Sequence, residues 1–245
     1  MLLIDHLRST GLSTAAARMM MRSGQVFYRG LPTADGSREV EPAGVDLRPN
    51  GPRIHIGTAP VLLLRDQHIM IAFKPAGLLS VTTSGRREIS MLASMHRRFG
   101  TVLPVYTLPE DIAGVMLLAL TRPLQDTLKE QLSTFERRFH AIVDGVLETE
   151  QEDFACVQAL GSRSSLITLT PGRRRMDALR AHLADQDHPI FGDRQHAPGR
   201  ISRAHPHPAL VGSTLGLRHP VTDEPIRFEL PLPDDMEQLR RRLSR

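Results

Sequence analysis

The chain has 245 residues, 40% hydrophobic and 24% charged, with a formal net charge of +4. That is ordinary globular composition, long enough for one large domain or for a small one beside a medium one. One cysteine, Cys156, excludes an intrachain disulfide and a Cys-rich zinc site; the longest apolar runs, such as Val115 to Leu120, are far too short to span a bilayer, and Asp5 and Arg8 interrupt the start where a signal peptide would lie, so the expectation is a soluble, cytoplasmic protein.

The first 56 residues read as a small module. Leu2, Leu3, Ile4 and Leu7 give a short apolar helix face. Ser13 predicts the N-cap of a helix over Thr14 to Arg22, with Gly24 as its stop. Met19, Met20 and Met21 read as packing. Gln25 to Gly30 reads as a strand running into a turn, and Val45 to Leu47 as a second strand after Pro42-Ala43-Gly44. Asn50-Gly51-Pro52 is a turn signal and predicts a linker. From about residue 57 one larger domain is expected to run to 245. Val61 to Leu64 and His68 to Phe73 read as strands around a turn at Arg65-Asp66-Gln67. Ile89, Leu92, His96 and Phe99 fit one helix face. Thr121 is placed to cap a helix whose face is Leu124, Leu128, Leu132 and Phe135. Phe139, Ala141 and Val143 alternate with His140, Ile142 and Asp144, as in a strand closed by Gly145. Met176, Leu179 and Leu183 mark a further helix, and Pro233-Asp234-Asp235 opens a last one with Met236, Leu239 and Leu243 inward. Strands and helices do not alternate regularly. The expected fold class is therefore α+β with a mainly antiparallel sheet.

The basic residues are nearly all arginine; only Lys74 and Lys129 are lysines. Clusters stand at Arg86-Arg87, Arg97-Arg98, Arg137-Arg138, Arg173-Arg174-Arg175 and Arg240-Arg241-Arg242. Guanidinium forks suit phosphates and stack on bases. A genome that writes Arg for Lys would give the same count, so clustering alone proves no polyanionic partner. Ala204-His205-Pro206-His207-Pro208, with His196 and His219, invites a metal reading. The prolines impose an extended loop, and neither a second cysteine nor a regular histidine spacing supports structural zinc, so solvated loop histidines and no metal are expected. Lys74 lacks the glycine-rich run of a phosphate-binding loop. Cys156 is expected to be a half-buried structural thiol.

Five blocks, in order, carry a resemblance. Ile71-Ala72-Phe73-Lys74-Pro75-Ala76-Gly77-Leu78-Leu79 comes first. The second is Pro104-Val105-Tyr106-Thr107-Leu108-Pro109-Glu110-Asp111-Ile112-Ala113-Gly114, followed by the apolar Val115 to Leu120. Glu136 to Gly145 is the third, Arg175 to Leu183 continuing into His188-Pro189-Ile190-Phe191-Gly192-Asp193 the fourth, and Arg218 to Ile226 the last. Together they resemble the RluA-like pseudouridine synthases, whose central motif reads Pro-Val-His-Arg-Leu-Asp-Arg-Asp-Thr-Ser-Gly. The first module similarly resembles the small S-four-like RNA-binding domain that often precedes these enzymes, with Arg18, Arg22 and Arg29 as its RNA-facing candidates. A generic helical cap on the main domain is the alternative.

The resemblance implies an RNA partner, structured or ribosomal, no cofactor, no metal and a flipped-out uridine in a pocket. A monomer is expected. The reaction needs a carboxylate nucleophile or base, an aromatic residue on the base, and a cation paired with the carboxylate. The carboxylate position here is Pro109, which has no titratable group. The aromatic position is Phe139, the cation position Arg180. The motif His and Arg are Tyr106 and Thr107, the Thr-Ser pair is Ile112-Ala113, and the late Leu-His-Ala element is Leu210-Val211-Gly212. Glycines, prolines and apolar core residues stay while polar site residues go, the pattern left by lost catalysis on a retained fold. Asp111 and Glu110 are the fallback carboxylates, with Asp177 more remote. Arg137, Arg138, Arg173, Arg174 and Arg175 are the phosphate-binding candidates of the main domain. A third reading makes the basic pocket a protein-interaction surface.

Overall fold

The computed structural model describes residues 1–50, 57–82, 90–147, 154–172 and 175–245. Arg86, Arg87, Ile89, Arg173, Arg174, Gly51, Pro52 and the side chain of Cys156 lie outside the described residues.

Residues Leu3–Ser9 (α1) and Thr14–Arg22 (α2) bury Leu3, Leu7, Ala17, Met20 and Met21, while Met19 is exposed. The Ser13 hydroxyl accepts from the Ala16 amide at 3.2 Å, which satisfies one of the free amides at the start of α2. The strands Val26–Tyr28 (β1), Leu31–Pro32 (β2) and Val45–Leu47 (β3) form a three-stranded antiparallel sheet in the order β2-β1-β3. These elements share an apolar cluster of their own around Leu3, Leu7 and Val26, whereas Phe27 and Leu31 pack into the main core.

Among the described residues the main sheet has nine strands. Its path runs Val61–Arg65 (β4), Ile69–Lys74 (β5), Ala113–Ala119 (β7), Leu210–Arg218 (β11), Glu136–Asp144 (β8), Ser164–Leu169 (β10) and Phe154–Leu160 (β9). Leu103–Pro104 (β6) adds to β7 and Pro225–Glu229 (β12) to β11. Every pairing is antiparallel except β7 with β11. The fold class read from the sequence, mixed α+β with a mainly antiparallel sheet, holds. β5 and β7 are buried along their whole length and so read as continuous apolar runs. Met91–Phe99 (α3), Arg122–Glu130 (α4), Met176–Asp185 (α5) and the terminal Asp234–Leu243 (α7) accompany the sheet, with a short turn of helix at Gly199–Ser202 (α6). No helix among the described residues is long and apolar enough to cross a membrane.

Three local expectations need correction. The inward face of α3 is Met91 and Met95; His96 is exposed and Leu92 and Phe99 are half-buried. Thr121 stands at the N-cap of α4, but its side chain makes no capping bond. Leu132 and Phe135 lie beyond α4, in a 3-10 turn and at the entry to β8.

The parallel crossing positions the site. Gly114 of β7 pairs with Gly212 of β11. A Cβ on Gly114 would stand 2.7 Å from the Gly212 amide nitrogen, so the two backbones meet where no side chain fits. A Cβ on Gly212 would stand 3.1 Å from the Phe139 ring. The loop preceding β7 is thereby set against the strand that carries Phe139.

Candidate functional site

The loop from Val105 to Ile112 is held at nearly every step. The Val105 amide donates to the Leu117 carbonyl at 3.0 Å, and the Tyr106 hydroxyl to the Val115 carbonyl at 2.8 Å. Burial pushes the Tyr106 hydroxyl above the usual phenol range, against the pull of Arg137, so it stays a proton donor. Ser80 clamps the middle. Its hydroxyl donates to the Leu108 carbonyl at 2.6 Å and accepts the Leu108 amide at 3.1 Å. The Ile112 amide closes a turn onto the Pro109 carbonyl at 3.2 Å.

Lys74 ties this loop to the Lys-Pro-Ala-Gly block. Its ammonium is fully buried and donates to the carbonyls of Pro75, Leu78 and Glu110 at 3.0, 2.7 and 3.1 Å. The Gly77 amide donates to the same Glu110 carbonyl at 2.8 Å. Burial pushes the Lys74 ammonium down to about 8, and the charges of Asp111 and Glu110 keep it from falling further. The lysine is therefore a structural donor beneath the loop, a role its sequence context did not reveal.

Beside the loop lies a cavity of about 390 Å³. Tyr106, Thr107, Pro109, Phe139, Arg137 and Arg175 line it, with Asp177 and Met176 at the start of α5. The structure thus brings together Tyr106, Thr107, Phe139 and Pro109, the residue expected at the carboxylate position. Phe139 is buried on β8, and the Arg137 guanidinium lies 5.7 Å from the Tyr106 ring centre while donating to the Gly172 carbonyl at 3.2 Å. Arg138, one residue on along the strand, is exposed and pairs with Glu136 at 3.1 Å. Arg175 is exposed at the cavity edge.

Arg180 is buried and fully engaged. It makes a two-pronged pair with Asp193, Nε to Oδ2 at 2.8 Å and Nη2 to Oδ1 at 2.7 Å, and Nη2 also reaches Asp111 at 3.0 Å. Burial works against ionised Asp193, yet Arg180 and the amides of Gln195 and His196 outweigh it and hold the carboxyl below its usual range. Asp193 was not singled out from the sequence; its place in the Phe191-Gly192-Asp193 turn after α5 was the available signal. Asp111 faces a second cleft, of about 400 Å³, lined by Ala76, Gly77, Glu110, Pro206 and His207. Pro109 and the two fallback carboxylates therefore line different hollows.

The late histidines are not free loop side chains: each lies against a carboxylate, with His196 and His207 part-exposed. His196 pairs with Asp177 at 3.2 Å, His219 with Asp66 at 2.9 Å, and His205 and His207 both with Asp235. His205 and His219 are buried. Prolines made the loop extended, but folding turned its imidazoles inward onto carboxylates from remote segments. Asp177, the more remote carboxylate, lies 3.2 Å from His196, and its charge also acts on Arg180.

In the first module Arg18 and Arg22 are exposed and line one shallow hollow of about 470 Å³ with Asp35 and Ser37. Arg29 is paired with Glu41 at 2.6 Å and lies against the Tyr28 ring. The module grips the C-terminal helix. Asp234 accepts from the Thr33 hydroxyl at 2.6 Å, from the Ala34 amide at 2.8 Å and from Arg38 at 2.9 Å, and Arg241 pairs with Asp35.

No family model matches the chain. It is 26% identical over 197 residues to the "Dual-specificity RNA pseudouridine synthase RluA" of Pasteurella multocida (strain Pm70), covering 68% of this chain and 90% of that protein. The protein of the same name from Escherichia coli (strain K12) is 26% identical over 204 residues, covering 70% and 92%. Among solved structures, "Human RNA Pseudouridylate Synthase Domain Containing 4" superposes with a TM-score of 0.61 at 17% identity over 74% of this chain and 92% of that one. "Human RNA Pseudouridylate Synthase Domain Containing 1" gives 0.56 at 15% identity over 76% and 95%. The sheet is that of pseudouridine synthase structures, and the sequence is similar to RluA-like synthases.

Proposed function

We propose that the chain is an RNA-binding homologue of the RluA-like pseudouridine synthases that holds structured RNA, ribosomal RNA foremost, without efficient isomerisation of uridine. One observation carries the reading. The cavity that gathers Tyr106, Thr107, Phe139, Arg137 and Arg175 is also lined by Pro109, the residue that the motif aligns with the required carboxylate. Proline offers no nucleophile and no base. Arg180, the cation that would pair with such a carboxylate, is already neutralised by Asp193 and Asp111. The remaining parts fit recognition: Phe139 for stacking and Arg137, Arg138, Arg173, Arg174 and Arg175 for phosphates.

In this reading residues 1–56 form an S-four-like RNA-binding module, with Arg18 and Arg22 as its contacts, and residues 57–245 the synthase-like domain. The protein acts as a cytoplasmic monomer and needs no cofactor. Its Arg29 belongs to the same surface only if Glu41 releases it, since the pair is 2.6 Å long.

One observation favours a second reading. The carboxylate–cation pair that the chemistry needs does exist, between Asp111 and Arg180 at 3.0 Å. An active enzyme using Asp111, or Glu110 beside it, would place the uridine in the cleft lined by Gly77 and His207. Filter binding of ribosomal RNA fragments over a salt series tests the first reading. Affinity must fall steeply with salt, and Arg137→Ala must weaken it. Weak binding that ignores salt would instead favour a protein-interaction surface.

A further inference from the structure

The loop between α6 and β11 and the first turn of α7 bring His205, His207 and Asp235 together. His205 Nδ1 lies 2.7 Å from the His207 carbonyl oxygen, and His207 Nδ1 lies 3.1 Å from the Pro208 carbonyl oxygen. A carbonyl can only accept, so each Nδ1 carries a proton and donates it. Each Nε2 then faces the same atom, Asp235 Oδ2, at 3.3 Å from His205 and 2.8 Å from His207. His205 Nε2 is buried and has no hydrogen-bond partner, in a residue only 6% exposed.

With neutral rings, two nitrogen lone pairs point at a carboxylate oxygen. A proton on His207 Nε2 makes an ion pair with Asp235 at 2.8 Å but still leaves the buried His205 Nε2 without a hydrogen bond, and a proton on both rings puts two imidazolium cations with centres 4.6 Å apart. A divalent cation satisfies all three groups, because it accepts the two Nε2 lone pairs and a carboxylate oxygen at once. All three donor atoms already lie within 4.8 Å of one another.

We propose that His205, His207 and Asp235 form a binding site for one divalent transition-metal ion of the zinc class. Two imidazoles and a carboxylate suit zinc, cobalt or nickel better than magnesium or calcium, which prefer oxygen alone. The Nδ1-to-carbonyl bonds are the outer support that fixes ligand tautomer and ring orientation. The frame is preformed. Gly192 packs so closely on the His207 carbonyl that a Cβ there would overlap it, and Ala209 donates to the Phe191 carbonyl at 2.7 Å. Three protein ligands leave a coordination position open. His207 lines the cleft beside Glu110 and Asp111, so that position is within reach of water or an anionic group. The ion would also pin this loop to the helix turn whose Asp234 holds the first module through Thr33 and Arg38.

The test uses the full chain without an affinity tag, stripped of metal by chelator dialysis and titrated calorimetrically with Zn²⁺, with Co²⁺ followed by visible absorbance. One site per chain is expected, with a raised melting temperature on saturation. His205→Gln and Asp235→Asn must each weaken binding at least about tenfold. His96→Gln, an exposed histidine on α3, must leave it unchanged. Absence of saturable binding, or undiminished binding in both cluster variants, would overturn the site. Should a variant not fold, nitrogen NMR of histidine-labelled wild type decides. Zn²⁺ must shift the Nε2 signals of two histidines while their Nδ1 protons persist, and shifts in other histidines alone would count against the proposal.

Discussion

Arg180 reaches Asp111 at 3.0 Å, two residues beyond Pro109, and grips Asp193 with two shorter bonds. The arginine expected to pair with a carboxylate at position 109 is thus paired with Asp193 and Asp111. Asp193 has a side chain only 1% exposed. Cutting Arg180 back would leave that charge buried and alone. Arg180→Met is expected to lower stability by about 3–5 kcal/mol. Asp111→Asn, whose side chain is 41% exposed, should cost less than about 1 kcal/mol. Urea unfolding of the two variants beside wild type measures the contrast.

The glycine crossing gives a second ordered pair. Gly114→Ala puts a methyl 2.7 Å from backbone that cannot yield, while Gly212→Ala meets the edge of the Phe139 ring at 3.1 Å. We expect about 1–3 kcal/mol of destabilisation for Gly114→Ala, with the smaller loss at Gly212. Thermal melts rank them, and the reverse order would show that the two strands part more easily than their register implies.

Lys74 provides the pH test. Its folded value of about 8 lies below the ordinary 10.5 of a lysine. Between those values the unfolded chain binds more protons than the folded one, so stability rises with pH across that window. Below about 8 the penalty of the buried charge is constant. With Lys74 and Lys129 the two lysines of the chain, carbon NMR of the lysine Cε groups resolves the titration, and Lys129→Arg assigns it. A Lys74 midpoint near 8 is expected. A midpoint near 10.5 would mean that the three carbonyls compensate the burial completely.

Much of the fold was legible in the sequence because its elements carry simple periods. Ser13 with the apolar face of α2, the strand β8 and the continuous apolar runs of β5 and β7 all appear where the pattern put them, although Ile142 of β8 is buried along with Ala141 and Val143 rather than alternating with them. The central strand β11 was not read as a strand. Gly212, Ser213, Thr214 and Gly216 dilute its apolar pattern, since it crosses β7 where only glycine fits and packs on β8. The hairpin of β9 and β10 was missed for another reason: Phe154 to Leu160 is apolar apart from Gln158, and Val157, Gln158 and Ala159 are exposed in a row, so no inward–outward period marks the strand. Of the site, the cavity residues were legible by position in the motif. The pairing of Arg180 with Asp193, and of His205 and His207 with Asp235, was not. These contacts join residues 13 and about 30 positions apart through turns that no local period encodes.

RNA affinity should track the arginines around the cavity. Removing one phosphate contact, with Arg137→Ala or Arg175→Ala, should lower the slope of log affinity against log salt by about 1 and weaken all RNA sequences alike. Phe139→Ala should weaken binding with no change in slope, as expected for a stacking contact. Fluorescence anisotropy with a structured ribosomal fragment separates the two effects.

Pro109 is proposed to leave an RNA-binding pocket without its chemistry. Chemical mapping of pseudouridine tests it most directly, on ribosomal RNA transcribed without the modification and incubated with wild type, Pro109→Asp and Asp111→Asn. No new pseudouridine is expected from wild type while the RNA is bound in the same samples. Gain of activity by Pro109→Asp alone would further show that the rest of the pocket is competent. Pseudouridine made by wild type and lost in Asp111→Asn would overturn the inactive reading and make the Asp111–Arg180 pair the catalytic one.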